Sequence, residues 1–236
     1  MTRSLPPYPR FGECIAALAG ALDINKAGSD VGRLAREGDF DWEKLDTVIK
    51  ELLVDGSARV TGDAARNILL PWIASVRGAY TSVVLDVPLD SVGRSDALPI
   101  LVEKFFVPAA ANLLQQIHAA MPGPNLQLLL AKELDPVRVT LEWLDSLVGG
   151  PVEKLLYPGS TGSARTEQEK IRKWRNGIDL PSSQSIQLFC RKLDECWKKT
   201  PSCTTWLLIS SALSRLERQW VGSLRPLMLS HPDHSS

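Results

Sequence analysis

Only three histidines occur in 236 residues: His118 in LLQQIHAAM, and His231 and His234 in a polar tail. No Ser, Cys or metal-ligand spacing that would make a catalytic or coordinating group accompanies His118, and HPDH at the end is expected to be a disordered terminus rather than a metal site. Four cysteines are present, Cys14, Cys190, Cys196 and Cys203. None forms a C-x-x-C pair, and a chain of this size needs no disulfides to fold, so reduced thiols in helix cores are expected. Long apolar runs are also missing. No stretch approaches ~18 uninterrupted apolar residues, the length that reads as a membrane-spanning helix. The opening MTRSLPPYPRFGEC has no hydrophobic leader core, and the expected setting is cytoplasmic. The loop GSTGSAR lacks the Lys-Ser/Thr of a phosphate-binding loop and has no strand before it. The acidic run Glu37, Asp39, Asp41, Glu43 and Asp46 lacks the glycine and spacing of a calcium loop. No catalytic residue, cofactor or metal site is expected, and the chain does not read as an enzyme.

What is there is helical periodicity. Hydrophobic residues make up 44% of the chain and charged ones 23%, ordinary for a protein that buries a core. In DWEKLDTVIKELLVDG, Trp42, Leu45, Ile49 and Leu52 share one stripe, with Asp41 at the start and Asp55-Gly56 at the end. Further helices are expected at 11–23, 30–37, 62–80, 97–120, 125–134 and 137–148. Pro71 and Pro108 lie inside two of them, where a kink or split is expected. Residues 80–96 carry β-branched side chains, but a lone strand has no partner, so an irregular connection is expected. The fold class is therefore all-α: a multi-helix N-terminal domain, then a helix-turn-helix segment and a long C-terminal helix.

Charge is unevenly spread although the net is zero. Residues 1–152 hold 14 Lys/Arg against 19 Asp/Glu, whereas 153–199 hold 10 against 6. The change of sign coincides with Gly149-Gly150-Pro151, so a domain boundary is placed near 150. Residues 1–150 form an acidic helical domain of unassigned role. Residues 151–236 hold the segment of about 151–197 and a packing helix at 201–222. In that last helix Trp206, Ile209, Leu213, Leu216 and Trp220 follow a 3, 4, 3, 4 spacing. The seam is too short for a coiled coil, so packing onto the chain's own core is expected, with a homodimer as the other use.

The segment EQEKIRKWRNGIDLPSSQSIQLFCRKL (167–193) carries a pattern. Gln168, Ile171, Trp174 and Gly177 are followed by Leu180-Pro181-Ser182 and an apolar stripe of Ile186, Phe189, Cys190, Leu193 and Trp197. A short helix is expected from Thr166 to about Asn176, ending on Gly177, with Pro181 in the first turn of the next. Over about 150–193 this resembles the phage-repressor (Cro/lambda-repressor-like) helix-turn-helix family of bacterial and phage regulators. The resemblance implies DNA as partner and transcription regulation as role. At 100° per residue Ile171 and Trp174 face inward. Arg165, Gln168, Glu169, Arg172, Lys173, Arg175 and Asn176 are the residues expected to meet DNA. Three features depart from the family pattern: an eight-residue loop (158–165) replaces a tight turn, Ala-x-x-x-Gly is missing from the preceding helix, and Glu167 and Glu169 crowd the end that would enter the groove, where they repel phosphates. A non-enzymatic adaptor or regulatory subunit, keeping the motif as a structural module, is the alternative, with a protein partner for the acidic N-terminal domain.

Overall fold

The computed structural model describes residues 63–86, 94–159, 162–197, 202–219 and 228, and these are helical or connecting, with no strand among them. The expected helices at 11–23, 30–37 and around 42–52, and the seam residue Trp220, lie outside the described residues. The chain divides into two compact units, one up to Ile117 and one from His118 to His234.

In the first unit α1 spans Asp63–Asp86, α2 spans Arg94–Leu101, and α3 starts at Val107 and runs to Ala120. Of the irregular connection expected over 80–96, residues 80–86 belong to the end of α1 and 94–96 to the start of α2, and 87–93 lie outside the described residues. Thr81 and Ser82 donate their hydroxyls to the carbonyls of Arg77 and Gly78 four residues back, at 3.0 and 3.4 Å, so they stay satisfied without leaving the helix. Tyr80 is buried against Phe105, the rings meeting edge to face at 5.7 Å. That packing outweighs a β-branched propensity cost of a few tenths of a kcal/mol per residue. Pro71 is carried inside an unbroken α1. Before Pro108 the chain widens into a π-helical turn, Val102–Phe106. Pro108 has no N–H and its ring collides with the carbonyl four residues earlier, and the wider turn relieves both.

In the second unit α4 covers only Leu126–Leu129, capped by Asn125. It is shorter than the expected 125–134, because Leu134 and Asp135 approach Pro136, which disfavours helical geometry before it. Helix α5 (Pro136–Val148) starts on the Asp135 carboxylate, which accepts from Val137 N at 2.9 Å and Arg138 N at 3.1 Å. It ends at Gly149 with φ 80°. Helix α6 is Val152–Leu156, α7 is Gly162–Arg175, α8 is Ser183–Cys196 and α9 is Cys203–Gln219. One core joins them: Val137, Leu141, Leu144 and Val148 of α5 pack with Val152 and Leu156 of α6, Ile171 and Trp174 of α7, Ile186, Phe189 and Leu193 of α8, and Leu207 of α9. Helices on both sides of residue 150 therefore share one core.

Two expectations about α8 change. Pro181 precedes the helix rather than opening it, and Ser182 is the cap, its Oγ accepting from Ser185 N at 3.2 Å. Trp197 does not continue the buried stripe. The helix ends at Cys196 and Trp197 turns out to 37% exposure. Helix α9 packs onto its own unit, as its spacing suggests, but on a face wider than the seam. Cys203, Trp206, Leu207, Ser210, Ser211, Leu213 and Ser214 are all buried. Ser211 Oγ donates to the Pro181 carbonyl at 3.0 Å. Trp206 is seated over the Pro122-Gly123 turn. Its indole N–H donates to the Pro122 carbonyl at 2.8 Å, and a Cβ on Gly123 would collide with the ring.

Candidate nucleic-acid interface

Helix α7 begins four residues before the expected start at Thr166. Ala164 and Arg165 are good helix formers, and Arg165 pairs with Glu169 one turn on at 3.0 Å. The connection between α6 and α7 shrinks from eight residues to 157–161. Residues 160 and 161 of it lie outside the described residues. Gln168 holds its first part. It is 9% exposed, and its amide nitrogen donates to the carbonyls of Tyr157 at 2.6 Å and Gly159 at 2.9 Å.

Three further contacts fix the helix. Trp174, 3% exposed, meets Phe189 of α8 edge to face at 6.0 Å. Arg175 forks onto Asp145 of α5, at 2.8 and 3.2 Å, and reaches Glu153 of α6 at 2.9 Å. Asp145 also accepts from Val152 N at 2.9 Å, so a single carboxylate ties α5, α6 and α7 together. Burial by itself lowers the Arg175 pKa. The hydrogen bonds and charges of Asp145 and Glu153 outweigh that, and the net is raised, leaving the guanidinium charged under all ordinary conditions. At the other end Gly177 takes φ 65°, a left-handed conformation that glycine adopts without strain, and Ile178 N returns to the Lys173 carbonyl at 2.9 Å. The α9 residue Arg218 donates to the Gly177 carbonyl at 2.7 Å.

Of the seven residues expected to meet DNA, the structure brings five to one exposed surface: Arg165, Glu169, Arg172, Lys173 and Asn176. Gln168 and Arg175 do not join them. Both are consumed in holding α7 to α6 and α5, because the buried Gln168 finds the carbonyls of Tyr157 and Gly159 and the half-buried Arg175 finds the carboxylates of Asp145 and Glu153. Arg172 and Lys173 have no charged partner among the described residues. Glu169 is half committed to Arg165. Thr166 lies on the same exposed side and Ser163 beside it. Sequence reasoning left Ser163 in the loop because it ended the loop at 165, and it left out Thr166 although the expected helix began there. The helix-forming pair Ala164-Arg165 was the signal. On a helical wheel the span from Arg172 through Asn176 and Glu169 to Thr166 covers roughly 120° and about 16 Å of axis. That is the width and length a major groove admits.

A concavity of about 460 Å³ flanks α7, lined among others by Tyr157, Lys170, Trp174, Leu188 and Lys192. Among the described residues no three His, Cys, Asp or Glu side chains converge as metal ligands, and no helix is long and apolar enough to cross a membrane.

No protein-family model, curated protein or solved structure matches the chain.

Proposed function

We propose that this chain is a DNA-binding regulator that lays α7 in a major groove. The observation that carries the reading is the division of α7 into two faces. One, through Ile171, Trp174, Gln168 and Arg175, is locked to three neighbouring elements. The other presents Arg165, Arg172 and Lys173 with Asn176 and Thr166 to solvent. A helix held this rigidly sets its donors in advance, so little side-chain and backbone order is lost on docking. Arg172 and Lys173 supply phosphate or guanine contacts, and Asn176 is suited to an adenine edge. Gln168 has no part in base reading.

The second reading, an adaptor that keeps the helix-turn-helix as a module, is favoured by one observation. Glu169 sits within the arc and neutralises Arg165 through the 3.0 Å bridge. The two readings separate in one experiment, retention of genomic DNA fragments by the protein at two salt concentrations. The DNA reading expects retention at low salt that falls steeply with salt, and its loss in Arg172→Ala/Lys173→Ala. No retention by wild type at low salt would move the chain to the adaptor reading.

A further inference from the structure

Two cysteines that DNA recognition does not use meet inside the second unit. Cys190 lies in the second turn of α8, Cys203 opens α9, and their sulfurs are 3.1 Å apart. Both are enclosed, at 2% and 0% exposure, and both belong to the shared core. A disulfide has an S–S distance of roughly 2.05 Å, so closing the bond asks for about 1 Å of approach. Small rotations of the two side chains supply a movement of that size. The sulfurs already hydrogen-bond to each other. The remaining described cysteine, Cys196, is exposed at the end of α8.

We infer that Cys190 and Cys203 are a disulfide-forming pair, whose oxidation staples the middle of α8 to the start of α9. The oxidant is a small-molecule disulfide, RSSR. The thiolate of one cysteine attacks an RSSR sulfur, giving a mixed disulfide and releasing RS⁻. The second thiolate then attacks the protein sulfur of the mixed disulfide and expels the second RS⁻. The protons of the two thiols end on the two released thiolates. Two protein thiols are thus oxidised to one disulfide while RSSR is reduced to two RSH. Attack needs a thiolate and access. The hydrogen bond to Cys190, then burial, raise the Cys203 pKa, and both sulfurs are enclosed, so oxidation proceeds through a local parting of the packed helices α8 and α9. Once formed, the bond is enclosed in the same way against a reductant.

The staple has a mechanical consequence for α7. Helix α8 carries Phe189, which meets Trp174, and α9 carries Arg218, which holds Gly177 at the end of α7. A covalent link between α8 and α9 restrains both supports of α7. The bond itself does not depend on whether α7 meets DNA.

The test uses full-length Cys14→Ser/Cys196→Ser, which keeps only this pair, incubated with oxidised glutathione at neutral pH. Intact mass is then measured under denaturing, non-reducing conditions. The expected product is a monomer lighter by two hydrogens, with no glutathione retained and a Tm higher by roughly 5–10 °C. Reductant reverses it quickly only in denaturant. Retained glutathione adducts, disulfide-linked dimers, or two free thiols after prolonged incubation with Tm unchanged would overturn the pairing. An internal disulfide that lowers Tm would overturn the staple. Peptide mapping of the oxidised wild-type chain is the second measurement, in which a Cys190–Cys203 cross-link is expected, and a link through Cys14 or Cys196 in its place counts against the pair.

Discussion

Arg175 shows how one side chain can look like a ligand-binding residue and serve as a clamp. It stands in KWRNG among other cations, where a helical wheel puts it on the shoulder of the exposed face. Its guanidinium nevertheless reaches back to Asp145 and Glu153, and 18% of the side chain remains exposed. Removing the cation strands two carboxylates that lie side by side. Arg175→Met is therefore expected to destabilise the fold by about 2–3 kcal/mol, at the lower edge of a broken buried ion pair because the site is partly wet. Arg172→Ala, on the exposed face, is expected to change stability by less than about 0.5 kcal/mol. Urea melts of the two variants check the contrast, and equal midpoints would remove the clamp. At the same scale Cys203 makes stability depend on alkaline pH. Its folded pKa is raised, so the folded state holds a proton that the unfolded chain gives up. Stability from this group is complete below roughly pH 8.5, where an unfolded cysteine ionises, and is lost as pH climbs from there toward the raised folded value. Tyr157 is raised too, by burial first and then by Glu167, and adds in the same direction at higher pH. Cys203→Ala is expected to flatten the fall in denaturation midpoint between pH 8 and pH 10 relative to wild type.

At the scale of the element, α7 decides the functional argument, and Glu169 is its most informative residue. The carboxylate shares the arc with Arg172 and Lys173 and pairs with Arg165. In base-specific docking it accepts from a cytosine amino group, and Glu169→Gln changes which sequence is preferred. In non-specific docking the same change removes a repulsion, so all sequences bind more tightly and the salt dependence steepens. Competition binding across a randomised DNA pool distinguishes these, and an unaltered preference together with unaltered affinity would take α7 out of the interface. Much of α7 was legible beforehand. The inward pair Ile171/Trp174, the exposed Arg172/Lys173 pair and the stop at Gly177 follow from a 3.6-residue period and a left-handed cap. The start was not legible, because Gly162 and Ser163 read as loop. The cost of these two residues in a helix, about 1 kcal/mol or a little more, is offset by the Arg165–Glu169 pair and by Gln168 seating on the turn.

At the scale of the whole molecule the second unit behaves as one core assembled from helices that are distant in sequence. Trp206 of α9 closes over Gly123, more than eighty residues earlier (|i−j| is 84 for its bond to Pro122), and Thr140 of α5 meets Ser210 of α9 at 2.5 Å. Gly123→Ala would force the indole off its seat and is expected to cost about 1–3 kcal/mol. Because α5, α7 and α8 share that core, amides in all three are expected to lose hydrogen-exchange protection together. A loss confined to residues near 123 would show that the unit is less cooperative than its packing implies. Charge asymmetry and Gly149-Gly150-Pro151 placed a boundary near 150, whereas the compact units part at 117/118. A change of charge sign reports surface composition, and it is blind to Leu141, Leu144 and Val148 crossing to meet Val152 and Ile171.

The all-α class, the buried stripes of α5 and α8 and the two-faced character of α7 were determined by sequence alone. Periodicity and capping are local, and residues within one or two turns decide them. The roles of Gln168 and Arg175, the meeting of Cys190 with Cys203 and the seat of Trp206 were decided only by tertiary structure. A side chain's hydrogen-bond partner is set by what is nearest in space, and for these residues that neighbour comes from another helix or loop.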